Sequence, residues 1–130
     1  LGDVYKRQGY EWTPLMIAAR NEHFQVVKYL IEQGEADPNI ADSGGWNALH
    51  YAARNNRTNT ELIELLLTHM PLASINKKDQ CGYTPLDAAY DSDSPIRQEI
   101  TALIRSKSGK ANYHDENGRY VGPGNGDLNH

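Results

Sequence analysis

DSGGWNALHYAARNNRTNTELIELLLTHM, residues 42–70, sets the organisation of the whole chain. It opens on turn residues, passes into a short Ala-rich helical pattern, breaks at Asn55-Asn56-Arg57-Thr58-Asn59, and resumes as a strongly apolar helix. Neither helix buries its face alone: the first is short, and the second is apolar along most of its length. The missing partners come from repetition. WTPLMIAARNEHFQVVKYLIEQGEADPN precedes at 12–39, and GYTPLDAAYDSDSPIRQEITALIRSKSGKAN follows at 82–112. Thr13, Asn47 and Thr84 occupy one repeat position, with spacings of 47 − 13 = 34 and 84 − 47 = 37.

A period near 33 residues with a T-P-L-H-x-A signature marks a helical repeat array. Thr13-Pro14-Leu15…Ala18-Ala19, Asn47-Ala48-Leu49-His50…Ala52-Ala53 and Thr84-Pro85-Leu86…Ala88-Ala89 carry that signature, and the turn segments Gly34…Asp37-Pro38-Asn39, Asp42…Gly45 and Asp79…Gly82 accompany it. On these residues the chain resembles the ankyrin repeat family over roughly positions 9 to 106. The resemblance implies an all-α solenoid of three helix-turn-helix repeats joined by β-hairpin-like turns, with a partial fourth fingertip. The implied organisation is a non-repeat segment 1–8, a repeat domain 9–121 (repeats about 9–41, 42–78 and 79–114, partial turn 115–121) and a disordered tail 122–130.

Within the first repeat, Pro14 takes the favoured first helical position after Thr13. A second helix is expected from about His23 to Gln33, with Val26, Val27, Leu30 and Ile31 on one face and Gly34 as its stop. Glu11 stands where the other repeats have Gly45 and Gly82, so an irregular first turn is expected, at a cost of roughly 1 kcal/mol. In the second repeat Leu62, Ile63, Leu66 and Leu67 match that apolar set. The gap from Ala53 to Leu62 is 9 residues against 7 from Ala19 to Val26, which places an insertion at Asn56–Thr60. Met70-Pro71 replaces the glycine stop. In the third repeat Pro95 is expected to open a helix to about Ser106, its outer face more polar as a terminal unit requires. Asp115…Gly118 repeats the turn pattern once more, with Tyr120 at the threonine position.

Composition narrows the function classes. The 130 residues are 38% apolar and carry a net charge of −4, with no apolar run long enough to cross a membrane and no basic block. Membrane insertion and nucleic-acid binding are therefore not expected. The single cysteine, Cys81, forms no internal disulfide and suits a reducing, cytoplasmic setting. The chain starts at Leu1 and its first methionine is Met16, so it reads as a fragment or a processed product.

His23, His50, His69, His114 and His130 form no H-E-x-x-H or His/Cys set with ligand spacing, so neither enzyme activity, metal nor cofactor is expected. The resemblance gives His50 a structural role, bonding the threonine-position residue of its own or a neighbouring repeat. Met16 and Asp87 stand at its equivalents, which leaves that network incomplete. Asp91, Asp93, Asp115 and Glu116 read as solvated loop acids. Asn39 and Asn76 read as turn-holding residues.

What the resemblance does imply is a surface for a protein partner, bound by a monomer. The family's contact positions carry over to Trp12, Trp46 and Tyr83 before the threonine, to Arg20-Asn21, Arg54-Asn55 and Tyr90-Asp91 after the alanine pair, and to Ser43, Gly44, Gln80 and Cys81 at the turn tips. Aromatic residues and Arg dominate interface energetics. The same three aromatics are equally suited to bracing neighbouring turns.

Overall fold

The computed structural model describes residues 12–122. The first turn at Glu11, the segment 1–8 and positions 123–130 lie outside these residues. Seven helices occur among them: α1 Pro14–Arg20, α2 Phe24–Glu32, α3 Ala48–Asn55, α4 Glu61–His69, α5 Leu72–Ile75, α6 Pro85–Tyr90 and α7 Arg97–Ser106. Among the described residues no strand is present, only an isolated antiparallel bridge between His114 and Tyr120.

The first helix of every unit starts by the same device. Thr13 Oγ1 accepts from the Met16 amide (3.1 Å), Asn47 Oδ1 from Leu49 and His50 (3.0 and 3.1 Å), and Thr84 Oγ1 from Asp87 (3.2 Å). Each pairs an orphan N–H of the first helical turn. In each case the residue three further on answers back to the cap's own amide: Met16 Sδ, His50 Nδ1 and Asp87 Oδ2. At the other end of α2, Gly34 adopts φ +71°, the left-handed stop that glycine reaches without a Cβ penalty.

Two layers result. α1, α3 and α6 pack in succession, as do α2, α4 and α7, and each first helix packs on the second helix of its own unit. Between the layers Leu15, Ala19, Leu49, Ala52, Ala53, Leu86 and Ala89 meet Val27, Ile63, Leu66, Ile100 and Ile104, all buried. The small alanines permit the close approach.

Three local features differ from the sequence reading. Pro71 does end α4, but the backbone then coils into α5, where Ser74 and Ile75 donate to the Pro71 carbonyl (2.9 and 3.0 Å). α7 begins at Arg97 and not at Pro95, because the Ser94 hydroxyl accepts from Ile96 (3.2 Å) and holds that step as a turn. The insertion at Asn56–Thr60 is tied down: Glu22 accepts from the Arg57 and Thr58 amides and the Thr58 hydroxyl (2.8, 3.0 and 2.6 Å), and Arg57 pairs with Asp93 (2.9 Å).

Candidate protein-interaction surface

Three congruent turns build this surface. Asp42 Oδ1 accepts from the amides of Gly44 and Trp46, Asp79 Oδ1 from Cys81 and Tyr83, and Asp115 Oδ1 from Asn117 and Arg119, all at 2.8–2.9 Å. In each turn the aspartate amide returns a bond to the residue four ahead. Gly45, Gly82 and Gly118 supply the positive φ (+88°, +91° and +83°) that closes the loop. A Cβ on Gly45 would stand 2.8 Å from the Asp79 Cα, so adjacent turns touch backbone to backbone there. The Gln80 amide donates to Gly44 O across the same gap (2.9 Å), and Gln80 Nε2 donates to Ser43 O.

Trp12, Trp46 and Tyr83 are each half-buried. Trp46 Nε1 donates to Asp79 Oδ2 (2.7 Å), and its ring stacks on His50 (5.4 Å between centroids) and meets Tyr51 edge-on (5.0 Å). Trp12 bonds the Tyr51 side chain, whose hydroxyl in turn donates to Asp42 Oδ2. Burial first, and then the Asp42 carboxylate, push the Tyr51 hydroxyl above its ordinary value. Tyr83 bonds Tyr120 and meets Tyr113 edge-on (4.7 Å); the bond to Tyr120, followed by burial, raises its hydroxyl likewise. The aromatic column therefore braces one turn against the next while still offering part of each ring to solvent.

The remaining contact positions divide. Arg20, Asn21 and Arg54 are exposed, and no hydrogen bond or ion pair ties either guanidinium to another described residue. Asn55 Nδ2 is engaged by the Tyr51 carbonyl (2.9 Å). Tyr90 receives Arg105 Nη1 on its hydroxyl (3.0 Å) and packs beside His114 (5.1 Å), while exposed Asp91 takes His114 Nε2 (3.1 Å). Ser43, Gly44, Gln80 and Cys81 all stand exposed at the tips, with the Cys81 carbonyl accepting from Tyr113 Oη (2.6 Å).

His50 is fully buried and pairs, as expected, with the threonine-position residue of its own repeat, Asn47, while also reaching the next unit. Nδ1 accepts from the Asn47 amide (3.1 Å) and Nε2 donates to the Tyr83 carbonyl of the next unit (3.1 Å). That tautomer is the neutral one, in keeping with the burial that lowers its basicity.

Asp87, read from sequence as a gap in the network, is its busiest member. The carboxylate is fully buried and accepts from the amides of Thr84, Asn112 and Tyr113 (3.0, 2.8 and 2.9 Å) and from His114 Nδ1 (2.8 Å). Burial alone would raise its pKa. The bonds from His114 and the three amides outweigh burial and hold it below the usual aspartate range. Asp87 and His114 dock the fourth turn on the third repeat, a role carried by separations of 25–27 residues. An Asp three residues after the cap, with a His-bearing turn in the next unit, was the available signal.

The arrangement is that of a helical repeat stack with a braced turn edge; no group of three His, Cys, Asp or Glu fit to hold a metal ion occurs among the described residues. A family model described as ankyrin repeats (3 copies) matches residues 2–79 and 35–116. The chain belongs to the ankyrin repeat family, whose members generally mediate protein–protein interaction and whose repeat domains are typically non-catalytic. An ankyrin repeat-containing protein of Schizosaccharomyces pombe is 41% identical over 73 residues, 55% of this chain and 30% of its own length. The palmitoyltransferase AKR1 of Lachancea kluyveri is 36% identical over 83 residues, 63% of this chain and 11% of its own. The human transient receptor potential cation channel subfamily A member 1 is 42% identical over 48 residues, 37% of this chain and 4% of its own. The chain thus spans less than a third of each of these relatives. No helix among the described residues is long and apolar enough to cross a membrane.

Proposed function

We propose that this chain is a non-catalytic protein-recognition module, monomeric and intracellular, that holds its partner along the concave face and the turn tips. The observation that carries this reading is the pair of equivalent, exposed guanidiniums of Arg20 and Arg54, which no hydrogen bond or ion pair ties to another described residue, in a chain of net charge −4. Beside them stand the half-buried rings of Trp12, Trp46 and Tyr83, and the exposed Asn21, Ser43, Gln80, Cys81 and Asp91. Asn55 and Tyr90 complete the set at the same repeat position. Rigid aromatic anchors beside uncommitted Arg suit a protein interface, and the turn bonds fix that face before binding, which lowers the ordering cost.

A second reading is favoured by the relatives that are a palmitoyltransferase and a cation channel: the module serves as the regulatory or targeting segment of a longer protein. The test is affinity capture with the intact chain, beside Arg20→Glu/Arg54→Glu and beside Lys28→Ala on the exposed face of α2. The charge-reversed variant is expected to lose the partner by at least about tenfold, roughly 1.4 kcal/mol, with Lys28→Ala unchanged. Equal capture by all three would remove this face from consideration.

A further inference from the structure

The two ends of the stack are finished differently. At the C-terminal end α7 presents Gln98, Glu99, Ala102 and Arg105 to solvent, and the fourth turn covers part of the last unit through His114. At the other end α2 carries Val26 at 47% exposure and Tyr29 at 55%. A position-by-position comparison with α4 shows that this is not the ordinary outer side of a second helix. Gln25 and Lys28 are exposed, and so are their counterparts Glu61 and Glu64. Val26, however, corresponds to Leu62, which is 2% exposed, and Leu30 and Ile31 are half-buried where Leu66 and Leu67 are buried. Among the described helices α4 packs against α2 on one side and α7 on the other, whereas the main packing partners of α2 are α1 and α4. The uncovered stripe is thus the direct continuation of the inter-repeat interface.

Repeat arrays are stabilised by nearest-neighbour contacts, and an end unit needs a polar outer face. α7 meets that requirement and α2 does not. We propose that the outer face of α2, centred on Val26 and Tyr29, is a stacking surface for one further ankyrin-type helix pair on the N-terminal side. That occupant is favoured over a second copy or a loose peptide because Val26, Leu30 and Ile31 stand at the positions of Leu62, Leu66 and Leu67, which are buried on α4, a helix with a neighbouring second helix on both sides. The inference stands independently of where the partner protein binds.

An extended chain tests it. A copy of residues 42–78 is joined ahead of Gln8, the position equivalent to Asp79 (84 − 79 = 13 − 8 = 5). Val26→Glu/Tyr29→Glu is then placed in the extended and the 130-residue chains, and all four are unfolded in urea. In the 130-residue chain the pair is expected to change the folding constant less than about threefold, and in the extended chain to lower it at least about tenfold. Hydroxyl-radical labelling of Tyr29 is expected to fall on extension, and to return when the added copy is unfolded by a proline at its Leu66 position. Equal effects of the double substitution in both chains, or labelling of Tyr29 unchanged by extension, would overturn the proposal. So would a concentration-dependent dimer of the 130-residue chain in sedimentation that the double substitution abolishes, since a second copy would then own the face.

Discussion

Replacing Asp87 with Ala removes a fully buried carboxylate and strands four donors: the amides of Thr84, Asn112 and Tyr113, and His114 Nδ1. A buried donor left without an acceptor costs about 1–3 kcal/mol. Simple addition over three amides would reach about 3–9 kcal/mol. Asn112 lies at the surface, and water can reach its amide once the segment loosens, so the sum overshoots. Stranding the two more enclosed amides, Thr84 and Tyr113, at about 1–3 kcal/mol each gives about 2–6 kcal/mol, and that is the expected loss at neutral pH, read as the shift in urea midpoint at constant slope. The pH dependence adds an independent check. Because the folded-state carboxyl is held below its ordinary value, its contribution is complete above the unfolded value, about pH 4, and is lost as pH falls through the folded value. The gap between parent and variant should therefore be widest near neutrality and narrow as pH falls below the unfolded value. A loss under about 1 kcal/mol at neutral pH, or a gap that does not narrow in acid, would refute the account of Asp87 as an ionised dock for the fourth turn.

Leu66→Ala, at a fully buried position on the middle second helix, should cost about 2–5 kcal/mol in the same melts; a loss below half that range would remove Leu66 from the core. Gly45→Ala meets both an unfavourable φ and the Asp79 backbone 2.8 Å away, so a loss of at least about 1–2 kcal/mol is expected, with a wild-type midpoint as the contrary result. Trp46→Phe keeps an aromatic ring, smaller than indole, and deletes the donor to Asp79. It should cost about 1.5–3 kcal/mol if that bond is fully made, and nothing if the indole merely rests there.

The framework could be read from residue types because it is locally encoded. Thr13, Asn47 and Thr84 cap the helices they precede, α2 runs within a residue of its expected ends, and Gly34, Gly45, Gly82 and Gly118 take positive φ. Each depends on neighbours within a few positions. What escaped depends on distant partners. Asp87 looked like a flaw beside His50 because a carboxylate three residues after the cap gains its value only when amides 25 and 26 residues later turn toward it. Asp91 and Asp93 read as solvated acids, and solvent does reach both, yet each holds a basic group from another segment. Pattern alone cannot tell an aromatic that braces from one that binds, and Trp46 braces visibly. Gly122, assigned to the tail, is buried where a Cβ would collide with the Tyr113 and Tyr120 rings, a packing fact with no local cue.

The three turns have a consequence for how such a surface diversifies. In each loop the shape is fixed by its first residue, an aspartate, and its fourth, a glycine, through bonds to backbone amides alone. The side chains at 43–44, 80–81 and 116–117 close none of their own loops, and at the tip only Gln80 reaches a neighbouring turn with its side chain. Six adjacent positions can therefore change chemistry at small cost to folding, so new specificity is open to drift at the tips while the aspartates and glycines stay put. Loop shape and variable side-chain chemistry are thereby assigned to different residues of the same four-residue loop.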